Sequence, residues 1–166
     1  WSMSSISYNS NNNSVYDGSY VEIWLNDTSV DGFLGNLRDP ENFIVMDYEW
    51  NATMMSDSSK PNTTTMIENP VGLITIYEYA MSYNATTYNN GYLNNGQYYW
   101  TMTPYNSTRT WNINADGNLN QGTVTYVDAI RPVINLKSNI KISRGTVSYD
   151  DPYILVGDDD TNLEGT

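Results

Sequence analysis

The chain has 166 residues, the length of one domain, and contains neither His nor Cys. Ser-His-Asp triads, cysteine nucleophiles and structural zinc sites are therefore excluded. A net charge of −12, from 19 acidic and 7 basic side chains, disfavours binding to nucleic acid or to an anionic membrane surface. Fifteen Tyr and five Trp predict a small core rich in aromatic rings.

The first half of the chain predicts short elements between polar loops. Residues 15–25 place apolar side chains on one helical face, with Ser14 as a candidate N-cap, although Gly18 favours a later start. The other predicted elements here are a buried strand at 43–48, a strand at 71–76 and a short helix at 77–83. Polar loops are predicted at 7–14, 51–66 and 89–96. A loop as long as 51–66 is uncommon unless it has a use.

The second half predicts short strands joined by turns. The predicted strands cover 98–103, 110–114, 123–126, 130–136, 140–143 and 153–156. Pro104 is expected to end the first of them, and Asp116-Gly117 predicts a hairpin turn. Trp100, Trp111 and residues 133–136 are expected to point inwards. The chain is thus predicted to be one α+β domain over 1–157, with short helices and a strand-rich C-terminal half, followed by an acidic tail over 158–166.

The outward positions of these strands carry mostly Asn, Thr, Ser and Tyr. Tyr supplies a stiff contact surface and Asn supplies adaptable hydrogen bonds, as in antibody paratopes. The candidate ligand-binding residues are Tyr105, Asn106, Thr108, Trp111, Asn112, Asn114, Asn118, Asn120 and Tyr126. Trp111 is expected to be a core residue that shows an edge. The alternative is that these are ordinary solvent-facing positions of an Asn-rich secreted protein.

Arg131 lies between Ile130 and Pro132, among residues typical of a core. A buried guanidinium must be paired, so we expect a carboxylate or several backbone carbonyls around it; a ligand-binding role is the alternative.

Calcium is the one metal for which the sequence offers candidate ligands. The tail GDDDTNLEG offers oxygen ligands at 158, 160 and 162 but lacks the Gly and distal Glu of an EF-hand loop. A solvated charge run is the preferred interpretation, so no cofactor is predicted. No pair of carboxylates is marked by the sequence either, and no enzymatic activity is predicted.

Five motifs in order resemble a known family. They are W-T-M-T-P (100–104), R-x-W (109–111), D-G-x-L (116–119), D-A-I-R-P-V-I-N-L-K-S (128–138) and D-P-Y-I-L (151–155). This order resembles the C-type lectin-like domains related to formylglycine-generating enzyme, which occur in microbial surface proteins. Residues 24–26 and 71–79 are similar to that family's preceding helix and strand-helix.

The resemblance implies a C-type lectin-like fold whose last strands and loops form an exposed ligand face. Relatives with this fold include variable proteins of diversity-generating retroelements and head domains on pilin-like stalks. The active-site Cys of the formylglycine-generating enzymes and the E-P-N calcium motif of animal lectins are absent, so neither activity is implied.

We therefore expect a non-catalytic, extracellular recognition module, on a cell surface or virion, that binds a protein or glycan of another cell or virion. Neither nucleic-acid binding nor membrane insertion is expected, because no apolar run approaches the roughly 18 residues that span a bilayer. The alternative is a structural subunit or head domain of an extracellular filament that self-assembles, with the polar segment 1–14 as a candidate contact.

Overall fold

The structure is a computed structural model that describes residues 6–58, 63–82, 91–146 and 150–156. In these ranges the helices are α1 Tyr20–Asn26, α2 Pro40–Phe43 and α3 Ile76–Met81, with a 3₁₀ turn at Leu34–Asn36. The strands are β1 Ile6–Ser7, β2 Glu49–Asn51, β3 Met66–Glu68, β4 Val71–Gly72, β5 Tyr99–Asn106, β6 Arg109–Ile113, β7 Leu119–Thr123, β8 Val127–Asp128, β9 Val133–Ile134, β10 Lys141–Arg144 and β11 Ile154–Val156. The architecture is α+β and strand-rich, as the sequence predicts.

The largest sheet in the described ranges has three antiparallel strands in the order β5-β6-β7. The other strands form antiparallel pairs: β1 with β8, β2 with β3, β4 with β9, and β10 with β11. Two of these pairs join segments that are far apart in sequence. The N-terminal half is therefore tied to the segment that follows β7.

The core lies on both sides of β5. Trp100 and Met102 belong to the larger cluster, in which the ring of Tyr8 meets Trp100 edge to face at 5.5 Å. Tyr99 belongs to a smaller cluster with Tyr79 and Ile113. Successive residues of a strand point to opposite faces, so β5 separates the two clusters. The predicted aromatic core is confirmed.

Two predicted helices are present with small shifts. Ser19 caps α1 through its side chain, which accepts from the Glu22 N–H, so the expectation that Ser14 is the cap is wrong. Ser14 is instead buried, and its hydroxyl donates to the carbonyl of Asn106. The helix α3 begins with a capping box between Thr75 and Glu78, which fixes its first turn.

Three strand predictions in the first two-thirds of the chain differ from the structure to different degrees. Residues 40–43 form α2, and in 43–48 only Ile44 makes an isolated bridge. Only Val71–Gly72 of 71–76 is a strand, because the capped helix begins at Ile76. Pro104 does not end β5. The backbone N–H groups of Trp100 and Met102 point away from β6, to the carbonyls of Ala129 and Ile74. The ring nitrogen of Pro104 lies on the same side of the strand. Its missing N–H therefore removes no hydrogen bond to β6.

The later strands are also shorter or displaced. Residues 123–126 form a turn, since the Tyr126 amide donates to the carbonyl of Thr123, and the strand is β7 instead. Only Val133–Ile134 of 130–136 is a strand. Val133 packs against the core as expected, but Ile134 and Leu136 are substantially exposed, so the expectation that they point inwards is wrong. The hairpin turn at 114–118 and the strands at 141–144 and 154–156 agree with prediction. The predicted acidic tail lies outside the described residues.

Candidate functional site

The central sheet divides the nine candidate residues between its two faces. The register pairs Asn112 with Trp100 and with Asn120, which places these three side chains on one face. Trp111 lies on the opposite face, where the ring of Tyr105 meets it edge to face at 5.1 Å. The nine residues therefore do not form one continuous surface.

On the first face, Asn120, Asn112 and Asp128 form a hydrogen-bonded chain. Asn120 Nδ2 donates to Asn112 Oδ1 at 3.0 Å, and Asn112 Nδ2 donates to Asp128 Oδ2 at 2.6 Å. Asn112 is only 3% exposed, so the expectation that it faces solvent is wrong. Burial raises the pKa of the Asp128 carboxyl, and the hydrogen bond from Asn112 partly opposes that shift. This group links β7, β6 and β8 through side chains, from the exposed Asn120 to the buried Asn112.

Three of the candidate residues, Asn106, Thr108 and Asn118, take part in hydrogen bonds within turns. Asn106 Oδ1 accepts from the backbone N–H groups of Thr108 and Arg109, both at 3.0 Å, and closes the β5–β6 turn. Asn118 donates from its side chain to Asp116 at 2.8 Å within the next hairpin. The Asn106 bonds are the local side-chain to backbone contacts for which Asn is favoured in turns, whereas the Asn118 bond joins two side chains.

Two further candidates differ in exposure. Asn114 precedes the second hairpin turn, and its side-chain oxygen is buried with no hydrogen-bond partner among the described residues. Tyr126 is 65% exposed, in the turn after β7. Tyr126 and Asn120 are the candidates with the open exposure that was expected of the whole set.

The strongest candidate site is a depression beside Trp111, which we call the Trp111 depression. It has a volume of about 460 Å³. It is lined by Ser56, Asp57, Ser58, Trp111, Asn118, Leu119 and Gln121. One wall is the loop after β2, and the other is the start of β7. Two predicted residues, Trp111 and Asn118, are thus brought together there.

Trp111 is held in a fixed position at this depression. Its Nε1–H donates to the carbonyl of Met55 at 2.8 Å, and the Met55 amide donates to the carbonyl of Pro104 at 2.9 Å. Trp111 is 8% exposed, which confirms the expectation that it is a core residue. That it shows an edge to a ligand stays a prediction.

The polar lining supplies hydrogen-bonding groups that the described residues leave unbonded. The side chains of Ser56, Ser58 and Gln121 have no hydrogen-bond partner within the part of the chain that the structure describes. The sequence reasoning missed these residues. Its one relevant signal was the unusual length of the 51–66 loop, part of which forms this wall.

A metal site needs clustered ligand side chains, and a membrane span needs a long apolar helix. Among the described residues, no group of three or more acidic side chains is placed to hold a metal ion. None of the helices described is long and apolar enough to cross a bilayer. The calcium ligands considered at 158, 160 and 162 fall outside the described residues.

Comparison with known protein families gives a match over most of the chain. A family model with the description "Domain of unknown function (DUF6273)" matches residues 3–138. The matched region extends from β1 to β9 and contains the whole Trp111 depression, whereas β10 and β11 lie beyond it. No curated protein and no solved structure matches the chain.

Proposed function

The chain belongs to the DUF6273 family, and we propose that it is a non-catalytic, extracellular recognition module whose Trp111 depression binds a glycan or a polar protein surface. The ligand would belong to another cell or virion. The observation that carries the proposal is a set of hydroxyl and amide groups, from Ser56, Ser58 and Gln121, around a fixed indole. These groups have no hydrogen-bond partner among the described residues. Such a combination of few polar groups and an aromatic wall is typical of ligand sites.

Rigidity supports this assignment. Trp111 and the start of β7 belong to the three-stranded sheet, and the opposite wall is joined to it through Met55. A site that is already formed loses little conformational entropy when it binds. Weak neutral hydrogen bonds can therefore contribute to affinity there.

Charge narrows the class of ligand. The net charge of −12 opposes the approach of anions, and Asp57 adds a carboxylate to the lining. The other polar lining groups, from Ser, Asn and Gln, are neutral donors and acceptors. A neutral polyhydroxylated ligand, such as an uncharged glycan, fits this lining best. A polar loop on the surface of a protein is the second kind of ligand that fits it.

We further propose that the fold is C-type lectin-like. The support is the order of the motifs: W-T-M-T-P lies in β5, R-x-W in β6, and D-G-x-L in the turn that leads to β7. An experimental structure superposed on formylglycine-generating-enzyme-like domains tests this. A different order and direction of the corresponding strands would contradict it.

Binding to an array of uncharged and charged glycans tests the recognition proposal. We expect wild-type protein to bind uncharged glycans, and Gln121→Ala with Ser56→Ala to weaken that binding at least tenfold. Gln97→Ala is the matched control, because Gln97 is exposed and outside the depression. Binding of labelled protein to intact cells tests whether the ligand is a protein surface. Equal binding by the double variant and the control in both assays would refute the site.

A second function is favoured by a separate observation. The β10–β11 ribbon has exposed apolar side chains, with Ile142 57%, Tyr153 47% and Ile154 36% exposed. An exposed two-stranded ribbon is a template for pairing with another chain. The protein would then be a structural subunit or head domain of an extracellular filament.

The contact expected for assembly was segment 1–14, but in its described part residues 6–9 and Ser14 are used within the fold and the exposed residues 10–13 are all polar. Ile6–Ser7 pairs with β8, and the Asn9 amide donates to the carbonyl of Val124 at 3.0 Å. The ribbon is therefore the better contact. Negative-stain images should show fibres that Ile142→Asp with Ile154→Asp abolishes. Dispersed wild-type particles over a wide concentration range would exclude this function.

A further inference from the structure

An apolar groove, which we call the α2 groove, lies beside the short helix α2. It has a volume of about 250 Å³ and is lined by Leu37, Arg38, Pro40, Phe43, Ile44, Ile134, Leu136 and Leu155. Every lining residue except Arg38 is aliphatic, aromatic or proline. None of them lines the Trp111 depression. The lining therefore favours an apolar occupant.

Leu155 reaches this groove from the β10–β11 ribbon, which lies beyond the region that the family model matches. Among the described strands, β10 and β11 pair with each other and with no third strand. Only residues 137–140 separate the ribbon from Leu136, which forms a bridge with Ile44. These residues form a turn, in which the Ile140 amide donates to the carbonyl of Lys137 at 3.1 Å. The ribbon is thus a self-contained hairpin on a short connection.

Leu155 does not fill the groove of its own chain. About 250 Å³ of open volume remains beside it, and Ile134 and Leu136 on the groove are 36% and 41% exposed. On the ribbon, Ile142 is paired with Leu155 in the register and is 57% exposed. Apolar surface is therefore left open on both sides of one contact, and burying it would stabilise a closer association. The connection at 137–140 limits how far the ribbon can move over its own groove.

We propose that the ribbon of one copy of the chain places Leu155 in the α2 groove of a second copy, by exchange of the ribbon. A second copy is the occupant because the groove already accepts Leu155 of its own chain, so an exchanged ribbon repeats that contact. Exchange of an identical element costs little, since the contacts broken in one copy are made again in the other. A ribbon from another copy is also free of the limit that the acceptor's own connection at 137–140 sets.

The exchange gives the exposed apolar side chains of the ribbon a place to be buried. A reciprocal exchange closes a dimer, whereas a one-way exchange continues from copy to copy as an open chain. The inference rests on the second function proposed above in taking the ribbon as the contact. It adds the surface that receives the ribbon, and it does not depend on glycan binding at the Trp111 depression.

Crosslinking between single-cysteine variants of the full chain tests the exchange, because the chain has no Cys of its own. Leu136→Cys and Leu155→Cys are purified separately, mixed in urea, refolded together and treated with a short bismaleimide. We expect a product that joins one chain of each variant. It should be at least tenfold more abundant than the product of Leu136→Cys with Gln97→Cys, an exposed position outside the groove. A yield equal to that of the control pair would overturn the proposal.

Self-association measured by sedimentation gives a second readout. Leu155→Asp places a charge in the apolar groove and should weaken self-association at least tenfold. Ser143→Asp is the matched control, because Ser143 is exposed on the same ribbon and does not line the groove, and it should change self-association less than twofold. A wild-type protein that stays monomeric at all concentrations, or equal self-association of the two variants, would refute the exchange.

Negative-stain images of the same samples separate this inference from the second function. Mixed crosslinks in dispersed dimers would support the exchange and exclude the filament. Fibres without mixed crosslinks would support a filament built through another contact and would overturn the exchange.

Discussion

The indole of Trp100 packs directly against the backbone of Gly122. A Cβ atom built on Gly122 would lie 2.7 Å from Cζ3 of Trp100 and 2.9 Å from its Cη2. Trp100 is fully buried, and its Nε1–H donates to the carbonyl of Ile6 at 3.1 Å, so the ring has little room to move. Close ring packing therefore restricts position 122 to glycine.

Gly122→Ala should lower the free energy of unfolding by about 1–3 kcal/mol, because it overpacks a filled core. Urea unfolding measures this change. Trp100→Phe removes the two ring atoms that the new methyl group would meet. The double variant should thus be less destabilised than the sum of the two single variants. Strict additivity would show that the Trp100 ring is not what excludes a side chain at Gly122.

Two buried tyrosines should respond oppositely to loss of their hydroxyl groups. The Tyr16 hydroxyl is buried and has no hydrogen-bond partner among the described residues, whereas Tyr8 donates to the carbonyl of Met102 at 3.3 Å. Tyr16→Phe should leave the free energy of unfolding unchanged or raise it by about 1 kcal/mol, since it removes an unsatisfied buried polar group. Tyr8→Phe should lower it by about 0.5–1.5 kcal/mol. Thermal and urea unfolding of both variants provide the test, and a loss for Tyr16→Phe as large as that for Tyr8→Phe would contradict it.

Asp128 should make stability depend on pH. Its pKa is raised in the folded state by burial, so the folded protein keeps the proton to a higher pH than the unfolded chain does. The stabilisation from the protonated form is complete below the ordinary value of 3.8 and is lost as pH rises through the raised pKa. Asp128→Asn removes this titration and keeps an acceptor for Asn112. The stability of Asp128→Asn relative to wild type should therefore increase from about pH 3 to pH 7. A difference that is constant over this range would show that the carboxyl is not desolvated.

The hydrogen bond between Trp111 and Met55 should hold in place the loop after β2, which forms one wall of the Trp111 depression. Trp111→Phe keeps an aromatic ring beside Tyr105 but removes the N–H that bonds to the Met55 carbonyl. Loss of one such bond is worth about 0.5–1.5 kcal/mol, so the Met55 amide should exchange with solvent several-fold faster. The Ala52 amide, bonded to the carbonyl of Thr65 at 2.9 Å, is the internal reference. Unchanged exchange at Met55 would mean that the loop is held by other contacts.

Local signals in the sequence predict the elements that depend on local interactions. The α3 helix follows from an apolar run after Thr75 with Glu78 at the capping-box position, and the hairpin follows from Asp116-Gly117. Pairings between distant segments, such as β1 with β8, cannot be predicted in this way. Each of these strands has two residues, which is too short to show an alternation of apolar and polar side chains. The prediction at 123–126 failed for the same reason, because partner strands determine which few residues of an apolar-polar stretch form the ladder.

The candidate site was predicted only in part, for a related physical reason. Asn suits solvent-facing positions, turns and buried hydrogen-bonded pairs equally well, so composition does not separate Asn120 from Asn106 or Asn112. Trp111 was identified because a large ring between strand residues must pack on something. The Trp111 depression arises where residues 56–58 meet residues 118–121, and no spacing within either segment encodes that contact.

Asn106 provides a test of whether a predicted ligand residue is instead structural. Asn106→Ala removes the acceptor for the N–H groups of Thr108 and Arg109, so the free energy of unfolding should fall by about 1–2 kcal/mol. Asn42→Ala is the matched control, because Asn42 is exposed, and its change should stay within about 0.5 kcal/mol. Glycan binding by folded Asn106→Ala should match wild type, since Asn106 does not line the Trp111 depression. An unchanged unfolding curve together with lost binding would return Asn106 to the ligand site and would favour a binding surface at the β5–β6 turn.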